Sequence, residues 1–161
     1  PVTGGYTFTL HANDGGKLKV GTMEMGRWEA LSGFREQAKV TLEGGKRVPF
    51  VLEFFDNYGE ASARVLWKGP GFQESPIPAS QLYPSTEKAP KGLKGKTGLL
   101  GCYYQNRFFY GDGVLAHPLL DFRLTPFLLP KLCNLVIRHR PLLGSSGRWK
   151  RKHSNKQILK M

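Results

Sequence analysis

Asn13 and Asp14 stand side by side ahead of two glycines in the stretch HANDGGKLKV, residues 11–20. An amide oxygen next to a carboxylate makes a pair of hard donors, and a Ca²⁺ ion gathers roughly six to eight such oxygens. The same residue types also build tight turns by bonding their own backbone. A second polar cluster, Asp56-Asn57-Tyr58, offers a carboxylate, an amide and a ring that can stack on a sugar face. It too reads as a β-turn. No catalytic constellation is present: no Gly-x-Ser-x-Gly elbow, no His-Glu-x-x-His pair, no phosphate-cradling glycine loop. Glycosidase chemistry needs two carboxylates placed about 5 to 10 Å apart, and sequence order alone places none. The chain itself is therefore expected not to be an enzyme, although a parent protein can be one.

The segments that would carry these residues read as strands. In YTFTLHA, Tyr6, Phe8 and Leu10 alternate with Thr7, Thr9 and His11, the pattern of a strand with one wet face. His11 falls on the polar side with no His or Cys nearby, so no metal role is expected for it. Asn13-Asp14-Gly15-Gly16 followed by Leu18 and Val20 predicts a hairpin, strand to Asp-Gly turn to strand. Three further strands are predicted: Ala38 to Leu42, Val48 to Phe55 and Ala61 to Trp67. Their turns are Glu43-Gly44-Gly45 and Asp56-Asn57-Tyr58-Gly59. Glu53 faces opposite Leu52 and Phe54, as a solvated or cross-strand partner. The stretch GTMEMGRWEALSGF reads as irregular, with Trp28 and Phe34 as apolar anchors. GPGFQESPIPASQLYP reads as a Pro-rich closing segment that docks Ile77, Leu82 and Tyr83 on the sheets.

Twenty glycines and eleven prolines punctuate the 161 residues, which suits many short strands joined by turns. No apolar run is long enough for a transmembrane helix. Charge is uneven. Residues 1–121 hold 14 Lys/Arg and all 12 Asp/Glu, whereas residues 122–161 hold ten Lys/Arg and no acid. The two cysteines, Cys102 and Cys133, are not expected to pair, because Cys133 lies in this odd tail. RWKRKHSNK, residues 148–156, has the composition of a nucleic-acid or anionic-surface binder. It is read instead as a solvated or out-of-frame tail, and nucleic acid is not the expected partner.

Residues 3–84 resemble the protective-antigen-type, or PA-fourteen, domain family. The segments that carry the resemblance are GGYTFTLHANDGGKLKV, RWE, VTLEGGKRVPFVLEFFDNYGEASARVLW and IPASQLYP, in the family's order. The family's opening pattern is absent before Tyr6 and reappears at Gly98 to Tyr104 as GLLGCYY. The resemblance implies an all-β antiparallel sandwich over residues 1–84 that lacks its first strand. It further implies a linker at 85–97, the start of a second copy at 98–122 and an atypical basic tail at 123–161, out of frame or disordered. The chain, which starts at Pro1, is expected to be a fragment. Residues 99–104 are expected to pair with the first copy in place of the missing strand.

The function that the resemblance implies is a non-catalytic carbohydrate-binding accessory module of an extracellular, periplasmic or cell-surface protein. A spacer or protein-interaction module is the alternative. Glycans and neighbouring domains of the parent are the implied partners. In calcium-dependent family members, two consecutive acids at the first polar turn hold Ca²⁺ across a cis peptide bond and present it to sugar hydroxyls. That assigns Asn13 and Asp14 as candidate metal ligands. Asp56, Asn57 and Tyr58 complete the candidate sugar-binding set. Asn13 in place of an acid weakens the site, and a plain turn remains the competing reading.

Overall fold

A computed structural model describes residues 1–29, 32–57, 61–83, 97–104, 108–110, 114–116 and 134–139. These form an all-β, two-sheet sandwich of antiparallel strands. The strands are β1 (Gly4–Asn13), β2 (Gly15–Val20), β3 (Met23–Arg27), β4 (Phe34–Leu42), β5 (Phe50–Phe55), β6 (Ser62–Gly69), β7 (Phe72–Pro76), β8 (Leu100–Tyr104), β9 (Val114–Ala116) and β10 (Asn134–His139). One sheet has the order β4-β1-β6-β7 and the other β3-β2-β5-β10-β8-β9. A single 3₁₀ turn, Ala79–Gln81, follows β7. Among the described residues no helix is long and apolar enough to cross a membrane.

Alternation builds the core. Tyr6, Phe8, Leu10 and Ala12 of β1 face inward with Ala63 and Trp67 of β6, against Leu18, Val20, Phe50, Leu52 and Phe54 of the other sheet. Tyr6 stacks on Trp67 with ring centroids 5.7 Å apart, and Tyr6 Oη donates to the Val2 carbonyl at 2.7 Å. The buried ring thus keeps its polar tip satisfied. Trp67 is a core residue on the inner face of β6.

Several local expectations give way. The Asn-Asp-Gly-Gly stretch does not close a hairpin. β1 pairs with β4 and β6, whereas β2 pairs with β3 and β5, so the chain crosses from one sheet to the other at Asp14. An Asp-Gly turn signals a change of direction, and a sandwich corner needs one as much as a hairpin does. The chain also crosses between β4 and β5 and between β5 and β6. The stretch read as irregular contains β3, and the Pro-rich closing segment contains β7. Both strands are five residues long, too short for alternation to stand out against their Gly and Pro neighbours.

The β2–β3 pair depends on Gly26, at φ +122°. A Cβ there would run into the Gly16 carbonyl and lie 2.8 Å from Lys17 Cα, both main-chain atoms that cannot swing aside. Gly26→Ala is therefore expected to cost at least about 2 kcal/mol, measured as a lowered midpoint in chemical denaturation. A midpoint within error of the parent would show that β3 tolerates re-pairing.

Residues 99–104 join the sandwich without pairing directly to the first segment. β8 pairs with β10, and β10 pairs with β5, so a strand from the basic tail lies between them. β8 and β9 also pair with each other. Leu99 is nevertheless part of the core cluster, and the Gly98 N–H bonds the Leu82 carbonyl at 2.8 Å. Cys102 is a free thiol. The linker over residues 85–96, Cys133 and the basic run 148–156 lie outside the described residues.

Candidate functional site

The two polar clusters meet at one end of the sandwich. Both are sheet-crossing corners: β1 to β2 at Asp14, and β5 to β6 after Asp56. Register places Gly15 opposite Phe55, which brings Asp14 and Asp56 to neighbouring positions. Gly15 is required by this packing, since a Cβ there would overlap the Phe55 ring. The Asn13–Asp14 peptide bond is cis.

Asp14 is 6% exposed, and its Oδ2 accepts the Asn57 backbone N–H at 2.6 Å. That bond ties the two corners together. Asp56 is different. Its Oδ1 is buried without a hydrogen-bond partner among the described residues. Burial raises its carboxyl above the ordinary aspartate range, the Asp14 charge raises it further, and the Asn57 backbone N–H partly opposes both. A like charge beside a partly desolvated carboxylate disfavours its ionisation unless a cation joins the two, and this is the position of Asp56. Asn13 adds an amide at the same corner. Among the described residues no group of three His, Cys, Asp or Glu gathers as a metal cluster, so any cation here would draw further oxygens from main-chain carbonyls, water or ligand. Tyr58, the remaining candidate, lies outside the described residues.

An aromatic layer flanks this corner on the outer face of β5. Phe55 is 1% exposed although it points away from the core. Trp28 covers it at a centroid distance of 4.7 Å, and Phe109 packs on Trp28 at 5.5 Å and on Tyr104 at 5.4 Å. Lys17 Nζ lies 5.9 Å from the Trp28 centroid, within cation–π reach. Trp28 thus supports packing as expected, but over the outside of a sheet. The signal for it was the Phe54-Phe55 pair, which breaks the alternation of β5 and leaves a large ring needing cover. Phe109, contributed from beyond the linker, had no such signal.

His11 lies on the outer face of β1, across from Arg35 and Arg64. Burial and then Arg35 lower its pKa, Glu74 opposes them and Arg64 adds to the lowering. Two guanidinium groups on either side of the imidazole make this a poor place for a cation. At the opposite end of the sandwich from Asp14, a cavity of about 300 Å³ opens beside Phe8, Trp67, Phe50 and Leu82, where Arg47 stacks on Tyr83 at 3.9 Å. No convergent pair of carboxylates comparable to Asp14 and Asp56 lines it.

No family model matches the chain. The anti-sigma-I factor RsgI3 of Acetivibrio thermocellus is 34% identical over 100 residues, which cover 62% of this chain and 15% of that protein. A solved structure described as an anti-sigma factor domain-containing protein matches with a TM-score of 0.52 and 28% identity, over 74% of this chain and 41% of that one. The chain is similar to anti-sigma factors. It spans only a small part of the curated relative it matches.

These findings correct the expected family. The protective-antigen-type assignment is replaced by similarity to anti-sigma factors, with no family model matching. The function drawn from that assignment is corrected with it, both the accessory carbohydrate-binding module and the spacer. Most of the segments quoted for the resemblance lie on the strands and crossings of this sandwich. The matched descriptions are those of regulatory proteins and not of enzymes.

Proposed function

We propose that this chain is part of the signal-receiving region of an anti-sigma factor, displayed outside the membrane. In this reading Asp14, Asp56 and Asn13 hold a Ca²⁺ ion through which a polyhydroxylated ligand, a glycan, is received. The similarity to anti-sigma factors supports the regulatory role. The observation that carries the site is the buried Oδ1 of Asp56, without a partner among the described residues, beside Asp14. A divalent cation would neutralise both carboxylates at once and leave coordination positions for vicinal hydroxyls, which compete well for a hard ion. Binding energy at a corner that joins both sheets is then available to bias how the chain packs, as a sensor requires.

Calorimetric titration of the chelator-treated chain with CaCl₂ checks this. A saturable heat is expected, together with a rise in melting temperature of about 5–10 °C at an ion concentration near one hundred times Kd. Asp14→Ala is expected to remove both. Absence of a calcium response in the parent chain would sink the reading.

A further inference from the structure

The cavity at the end of the sandwich opposite Asp14 opens between the inner faces of the two sheets. Phe8 of β1 and Trp67 of β6 line it from one sheet, and Val20 of β2 and Phe50 of β5 from the other. The β4–β5 crossing adds Val48, and the segment after β7 closes the space with Leu82. Main-chain bonds pin both covering segments. The Gly21 N–H bonds the Pro49 carbonyl at 2.9 Å, and the Gly98 N–H bonds the Leu82 carbonyl at 2.8 Å. Walls fixed in this way need little ordering when a ligand enters.

Charge sits at the rim. Glu43, Lys46 and Arg47 line the cavity from the exposed β4–β5 crossing. Lys46 is already paired with Glu43. Arg47 has no ion-pair partner among the described residues, and its guanidinium lies over the Tyr83 ring. Stacking uses the face of a guanidinium and leaves its N–H edge for a planar anion.

We propose that this cavity binds a small aromatic carboxylate, ring inward, with the carboxylate on Arg47. Size, walls and charge select that class. An apolar cavity of about 150 Å³ takes up one benzene ring, so the cavity of about 300 Å³ here holds a ring with a short side chain. Apart from the Trp67 indole, the six wall side chains carry no polar atom, which disfavours a polyhydroxylated body. Phe8, Trp67 and Phe50 present rings, and rings pack on one another by offset or edge-to-face contact. A carboxylate can then meet the Arg47 edge with two parallel N–H bonds. The site lies far from the Asp14–Asp56 corner and uses no metal ion, so either can fail alone.

Calorimetric titration of the full chain with 3-phenylpropanoate, in chelator throughout, tests this. Saturable one-to-one binding is expected. The neutral 3-phenylpropan-1-ol is expected to bind about tenfold or more weakly, the loss of a charge-assisted contact. Arg47→Gln is expected to weaken the acid by the same factor and to leave the alcohol unchanged, with the melting temperature unmoved. Val48→Phe fills the cavity and is expected to abolish binding of both, with a melting temperature that holds or rises. Arg47 is exposed, so its replacement keeps the test decisive should the larger side chain at 48 disturb the fold. Octanoate carries the same charge on a straight chain and is expected to bind more weakly than the ring acid. No saturable binding of 3-phenylpropanoate, equal affinity for acid and alcohol, or binding unaltered in a folded Val48→Phe chain overturns the proposal. So does octanoate held as tightly as the ring acid, which would make the cavity an acyl-chain site.

Discussion

Asp56→Asn is expected to stabilise the calcium-free chain at neutral pH and to abolish its stabilisation by calcium. The buried Oδ1 carries charge without a partner among the described residues, and such a group costs about 1 kcal/mol at the low end, appropriate to a residue only partly buried. The amide keeps the shape and removes the charge. The sign of the pH dependence follows from the raised carboxyl. The folded chain holds the Asp56 proton more tightly than the unfolded chain does. The resulting destabilisation is absent below the ordinary aspartate value near 3.8, grows as pH rises from there through the folded value, and is complete above it. Glu74 has the opposite sense, its carboxyl held low chiefly by the Thr9 hydroxyl. The informative quantity is therefore the difference between parent and variant. Denaturation midpoints from pH 3 to 7 without calcium are expected to diverge in favour of the variant, by about 2–4 °C in melting temperature at neutrality. Saturating calcium should reverse the order. A variant less stable than the parent in chelator would mean that Asp56 has a partner that already satisfies it.

Phe55→Ala carries the largest expected loss of stability, about 3–5 kcal/mol. Its ring is as buried as those of the core, yet it lies on the other side of β5, beneath Trp28. Removing it takes the floor from under Trp28 and, through Trp28, from the contact with Phe109. Phe54→Ala should cost a similar amount, since Phe54 is fully buried in the core. The two are separable by Trp28 fluorescence in a Trp67→Phe, Trp149→Phe background. Phe55→Ala is expected to shift Trp28 emission to the red in the folded state, and Phe54→Ala to leave it unmoved. A loss below about 1 kcal/mol for Phe55→Ala would show that the outer aromatic layer contributes little to the fold.

Much of the sandwich was legible because its strands obey period two. Tyr6, Phe8 and Leu10 against Thr7, Thr9 and His11 define an inside and an outside without any coordinates. Elements that depend on neighbours were harder. β3 and β7 are short, and they become strands because β2 and β6 offer them open edges. β10 has no acid nearby in sequence and two prolines ahead of it, and it is ordered between β5 and β8. The candidate site was half legible. Asn13, Asp14, Asp56 and Asn57 were identified by donor type, but nothing in their order said that the two clusters touch.

Residue types by themselves determined that this chain is all-β, that Asp14 and Asp56 sit where the chain changes direction, and that Trp67 belongs inside. Each follows from local chemistry: alternation, turn propensity, and the burial of large rings. Tertiary structure decided that HANDGGKLKV is a crossing between sheets and not a hairpin. The reason is energetic competition among strands. β1 gains more by pairing on both edges with β4 and β6, and β2 by pairing with β3 and β5, than the two would gain from each other, and adjacency in sequence cannot weigh those partners. Once the crossings are set, the Asn57 backbone N–H reaches Asp14, and Asp56 is left with a buried charge.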